Sequence, residues 1–94
     1  MEIYSNNFNG LDILNKEPII IYSKKVKRNI SYVNNLLFYF SNYEIIQHLK
    51  ILKKILNCNG TFKNNELLFL GEHKQKLYDY FKSLGCEVKL LLTF

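Results

Sequence analysis

Apolar residues along this chain fall in short blocks, and the spacing within the blocks changes from one to the next. Ile19 to Ser23 is β-branched and aromatic and predicts a strand; Ile30 to Val33 predicts a second. Pro18 stands at the start of the first, where a missing N–H need not join a ladder. The polar link Lys24-Lys25-Val26-Lys27-Arg28-Asn29 reads as a hairpin connection, with its positive charges at the tip. Leu36 to Phe40 is apolar throughout and either continues the second strand or caps the core.

The period then lengthens. Ser41-Asn42-Tyr43-Glu44 is a capping box, in which the serine hydroxyl and the glutamate each satisfy a backbone N–H at a helix start. A helix to about residue 57 follows, with Ile45, Ile46, Leu49, Leu52, Ile55 and Leu56 on one apolar stripe. Gln47, Lys50, Lys53 and Lys54 lie largely off that stripe, and lysines in the last turns suit the negative end of the helix dipole. Asn57-Cys58-Asn59-Gly60 ends the helix, since asparagine and glycine tolerate the left-handed cap. Thr61-Phe62-Lys63 and Glu66 to Leu70 flank an Asn64-Asn65 tip and predict a second hairpin, turned by a type I′ pair. Gly71 stops that strand. Glu72 to Leu84 predicts a second helix with Leu77, Phe81 and Leu84 on one face and Gly85 at its cap; Cys86 to Leu92 is a last strand. The order β-β-α-β-β-α-β implies an α+β fold, a two-layer sandwich with two helices packed on one face of a mixed sheet. Residues 1–17, rich in asparagine, read as a short flexible leader, and residues 18–94 as a single domain.

Length and composition agree with that outline. A chain of 94 residues holds one core, and a hydrophobic content of 48% excludes a disordered chain. The uncharged apolar runs fall far short of the roughly 20 residues of a membrane span, and no signal peptide is evident. The net charge is +5, unevenly spread: residues 1–17 carry −2 and residues 18–94 carry +7. A basic small domain points to a polyanion. The excess of Asn, Lys, Ile, Phe and Tyr, with no alanine, matches A+T-rich codon usage. Lysine position, not lysine number, therefore carries the case.

Catalytic chemistry is thin. The carboxylates are scattered, no nucleophile sits in an elbow motif, and Gly10, Gly60, Gly71 and Gly85 are isolated rather than a phosphate loop. Cys58 and Cys86 read as reduced thiols, and with His48 and His73 they lack the spacing of a zinc site. His48 falls near the helix stripe as a packed histidine; His73, at a helix start, reads equally as a phosphate contact or a surface residue. Three basic elements remain: the hairpin tip (Lys24, Lys25, Lys27, Arg28), the helix face (Lys50, Lys53, Lys54), and the second helix start with Lys74 and Lys76. Gly71-Glu72-His73-Lys74 is expected to present free backbone N–H groups to an anion.

The stretch from Lys50 through Cys58-Asn59-Gly60-Thr61-Phe62 resembles the eukaryotic translation initiation factor 1 family, in which a lysine-rich helix runs into Cys-Asn-Gly-Thr and a strand. Leu68 to Lys74 resembles the family's strand ending in Gly-Asp-(Gln or His)-Arg, Lys82 to Leu90 its last helix end and strand, and Ile19 to Leu36 its first hairpin. The resemblance covers roughly residues 18–92. Glu72 stands for the usual aspartate, Lys74 for arginine and Asn35 for glycine, and the aromatic Leu37 to Tyr43 replaces a polar linker.

The resemblance implies binding to ribosomal RNA of the small ribosomal subunit near the P site, promotion of scanning and start-codon selection, no enzymatic activity and no cofactor. It implies RNA contacts at Lys24, Lys25, Lys27, Arg28, Lys50, Lys53, Lys54, Asn59, Gly60, Gly71, Glu72, His73 and Lys74. The expected partners are the subunit, other initiation factors and the initiator tRNA–mRNA complex, for a cytoplasmic monomer away from membranes. Two other readings compete. One is a divergent ribosome-binding factor of the same fold, acting in recycling, reinitiation or dormancy. The other is a protein-interaction module using the aromatic segment 36–43.

Overall fold

A computed structural model of the chain describes residues 16–91. The leader assigned to residues 1–17 therefore falls, up to residue 15, outside the described residues, as do residues 92–94. Among the described residues there are five strands: β1 (Ile19–Lys25), β2 (Asn29–Asn34), β3 (Gly60–Lys63), β4 (Glu66–Leu70) and β5 (Val88–Leu90). Two helices, α1 (Asn42–Leu56) and α2 (Lys74–Ser83), connect them. The sheet runs β3-β4-β2-β1-β5; β1 and β5 are parallel and the other pairs antiparallel, so the sheet is mixed.

Both helices pack on one face. Ile19, Ile21, Val33, Leu67 and Phe69 point down from alternate strand positions. They meet Ile45, Leu49, Leu52 and Leu56 of α1 and Leu77 and Phe81 of α2 in a single cluster. At about 25 cal/mol per Å² of apolar area, this burial is the main force holding the layers together.

The local signals explain the element ends. Ser41 Oγ accepts the Glu44 N–H at 3.2 Å, and Glu44 Oε1 accepts the Ser41 N–H at 2.8 Å, so the predicted capping box is present. Asn57 takes φ 51°, and the Cys58 N–H reaches the Lys53 carbonyl at 3.2 Å, closing α1 with a Schellman motif. Asn64 and Asn65, at φ 52° and 62°, turn the β3–β4 hairpin as a type I′ pair.

Several expectations are corrected. Lys24 and Lys25 belong to β1, paired with Ile30 and Asn29, so the tip is only Val26, Lys27 and Arg28. Leu36 does not continue the strand. Asn35 adopts φ 69°, held by its Nδ2–H to the Pro18 carbonyl at 2.9 Å, and turns the chain into a 3-10 turn, Leu36–Phe38. Leu36 caps the core while Leu37 and Phe38 face outward. Helix α2 begins at Lys74, two residues later than Glu72, and β5 is three residues long. Ile55 and Leu84 are exposed rather than on the buried stripes.

Candidate nucleic-acid interface

The fold draws the basic elements to one end of the sheet through backbone and side-chain bonds. The β1–β2 tip and the end of β4 meet where the Gly71 N–H donates to the Asn29 carbonyl at 2.8 Å. The segment after α1 joins the same edge through the Leu70 N–H to the Asn59 carbonyl, at 3.0 Å. Ser31, fully buried, ties the α2 start to β2: its Oγ donates to the Gly71 carbonyl at 2.7 Å and accepts the His73 N–H at 2.8 Å. Ser23 Oγ donates to Glu72 Oε2 at 2.9 Å, so this carboxylate is turned back onto β1.

Lys24, Lys25, Lys27 and Arg28 thus stand beside the start of α2, which carries Lys74 and Lys76. Lys50, Lys53, Lys54, Asn57, Cys58 and Asn59 line one open hollow with Leu70. The lysines of α1 and the β4 end therefore share one surface, and Asn59 lies between them. Such a patch of lysines neutralises phosphates and attracts a polyanion over several ångströms.

Individual residues divide by role. The hairpin and α1 lysines are exposed, as phosphate contacts require. Gly60 is placed by packing: a Cβ there would lie 2.7 Å from Phe69 Cδ1 and 3.2 Å from Leu49 Cδ1. Gly71 has φ 111°, and a Cβ would meet the His73 ring at 2.6 Å. The expectation of free N–H groups at Gly71 and His73 is corrected, since both donate within the fold. His73 folds its ring back so that Nε2 lies 2.9 Å from the Leu70 carbonyl, which commits that nitrogen internally.

Other candidate chemistry is structural. His48 packs on Phe40 at 4.7 Å between ring centroids, and its Nδ1 pairs with the Tyr80 hydroxyl at 2.7 Å. Burial pushes its pKa below the usual histidine value, against a weaker opposing pull from Glu44. Cys58 and Cys86 are free, and burial raises both thiols, which leaves them poor nucleophiles. Among the described residues, no group of three His, Cys, Asp or Glu side chains is placed to hold a metal ion. No described helix is long and apolar enough to cross a membrane.

Two surfaces were not foreseen from the chain order. One is the sheet face opposite the helices, which carries Tyr22, Tyr32 and Leu68. Its signal was present: β1, β2 and β4 are apolar at both alternate positions, whereas helices cover one face only. The other is Ile51 with Ile55, exposed on α1 among its lysines. No protein-family model matches the chain, and no curated protein matches it in sequence.

Proposed function

We propose that this protein is an RNA-binding translation factor of the small ribosomal subunit, acting in initiation near the P site as its resemblance to the initiation factor 1 family implies. The observation that carries the reading is convergence. Lys24 to Arg28, Lys50 to Lys54 and the α2 start, far apart in sequence, meet at one end of the sheet through Asn29, Asn59 and Ser31. The charges there act as a unit on RNA phosphates, and the packed backbone beneath them keeps their spacing. Discrimination of start codons then follows from occupancy and clash, with no chemical step.

The test is co-sedimentation with purified small ribosomal subunits across a salt series. Wild type is compared with a variant carrying alanine at Lys24, Lys25, Lys27 and Arg28. Saturable, salt-sensitive binding that the variant loses supports the reading; no binding by folded wild type overturns it.

A second reading has its own observation. Leu37, Phe38 and Tyr43 are exposed, while Leu36 is buried and Tyr39 and Phe40 pack against the core. The outward half of the 36–43 segment suits a protein partner, such as another initiation factor. Replacing Leu37 and Phe38 by serine separates the two: subunit binding persists if that segment serves only a protein.

A further inference from the structure

The sheet face opposite the helices departs from the usual pattern. An antiparallel sheet with one solvated face alternates apolar residues inward with polar residues outward. Here the outward alternates include Ile20 and Tyr22 of β1, Ile30 and Tyr32 of β2, and Leu68 and Leu70 of β4, with the polar Lys24, Asn34 and Glu66 only at strand ends. Strand register places Tyr22, Tyr32 and Leu68 side by side in a row across the middle of the face. The two tyrosine rings stack, with centroids 4.8 Å apart and planes 9° from parallel. The Tyr22 hydroxyl donates to Glu66 Oε2 at 2.5 Å, which fixes the ring and occupies that carboxylate. Burial and this bond push the Tyr22 phenol well above its ordinary value, so it stays neutral.

Lysines surround this row. Lys24 pairs with Ile30 at one margin, Lys89 with Ile20 at a second, and Lys63 with Glu66 at a third. All three are exposed.

We propose that this face is a stacking platform for the bases of a single-stranded RNA segment. Every base offers a π-face; Tyr22 and Tyr32 cover one face of each other, so a base adds to an outer face of that pair, beside the flat aliphatic side chains, with little sequence preference. Lysines at the margins take the phosphates between the stacked bases. Charge decides the occupant: the three lysines ring the row, and a phosphate backbone complements them. Lys24 belongs both to this face and to the basic end of the sheet, so a strand held at that end can run on across Tyr22 and Tyr32. The inference rests on the proposed function only for the choice of RNA as partner, and apart from Lys24 it concerns different residues.

The test titrates the full chain into two fluorescently labelled RNA octamers, oligoadenylate and an abasic octamer with the same backbone. Stacking predicts that oligoadenylate binds roughly 5- to 100-fold more tightly than the abasic strand, and that Tyr32→Ala removes most of the difference. Amide chemical shifts of Tyr22, Tyr32 and Leu68 should move with oligoadenylate and stay with the abasic strand. If Tyr32→Ala does not fold, the abasic comparison and the shift map on wild type decide. Equal affinity for the two octamers overturns the proposal, as does a preference that survives Tyr32→Ala or a face covered by self-association in sedimentation. A clear base preference without small-subunit binding overturns the ribosomal reading and leaves this one standing. Subunit binding without base preference does the reverse.

Discussion

Gly60 shows how a single missing methyl group is decided by the layers around it. The residue lies where β3 passes beneath α1, and a Cβ would fall 2.7 Å and 2.9 Å from two ring atoms of Phe69. Phe69 is fully buried and cannot swing away. Gly60→Ala is therefore expected to cost about 1–3 kcal/mol, the usual range for overpacking. Urea denaturation checks this, and an unchanged midpoint would show that the sheet yields at that point. His48 gives a pH signature. Its pKa is lowered in the fold, so the folded state binds fewer protons than the unfolded chain just below about pH 6.5. The contribution is fully present above that unfolded value and is lost as pH falls through the lowered folded value. Stability should decline with acid over that window, and His48→Gln should flatten the decline in urea melts at pH 7.5 and 5.5. The same slope in both proteins would mean that His48 titrates as if in water.

At the scale of elements, α1 was readable at its ends and along its middle. Ser41, Glu44 and Asn57 act as the chain order implied, because caps are local interactions. The inner line Ile45, Leu49, Leu52 and Leu56 is buried, and Leu52 is fully so. Leu52→Ala is expected to lose about 2–5 kcal/mol, and a loss under about half a kcal/mol would show that this face is not the core face. Ile46 and Ile55 both stand about 90° from the centre of that line, on opposite flanks. Ile46 packs against the core, while Ile55 is 52% exposed. Periodicity cannot tell the flanks apart, because the sheet beneath, not the helix, decides which one is covered. Leu84 makes the same point for α2. The left-handed Gly85 turns the chain back so that Cys86 packs with Phe81, and Leu84 is left outside.

At the scale of the molecule, the central fact is where the charges gather. Ser31 and Gly71 are 40 positions apart in sequence and bonded in space, and Ser23 and Glu72 are 49 apart. Those bonds bring the hairpin tip and the start of α2 to one end of the sheet. If the gathered lysines bind RNA phosphates as a unit, alanine at Lys24, Lys25, Lys27 and Arg28 weakens binding and flattens its salt dependence. The expected change is up to about 0.7–0.9 units of log–log slope for each phosphate that is no longer neutralised. A parallel shift with unchanged slope would assign those side chains to shape rather than charge. The apolar sheet face adds a second surface that shares Lys24 with the first.

The chain order alone determined the type and order of the five strands and two helices, the capping residues of α1, the type I′ turn at Asn64-Asn65 and the inner line of α1. Each depends on residues within a few positions of one another, where propensity and backbone geometry act directly. It also named the basic elements, because charge is legible wherever it falls. Only the tertiary structure decided that those elements meet, that Gly71 and His73 spend their N–H groups inside the fold, and that Tyr22 stacks on Tyr32. Those outcomes depend on strand order and register, which come from burying the whole core at once. The helices cover a single face of the sheet, and that choice left the tyrosines of the other face outside the core.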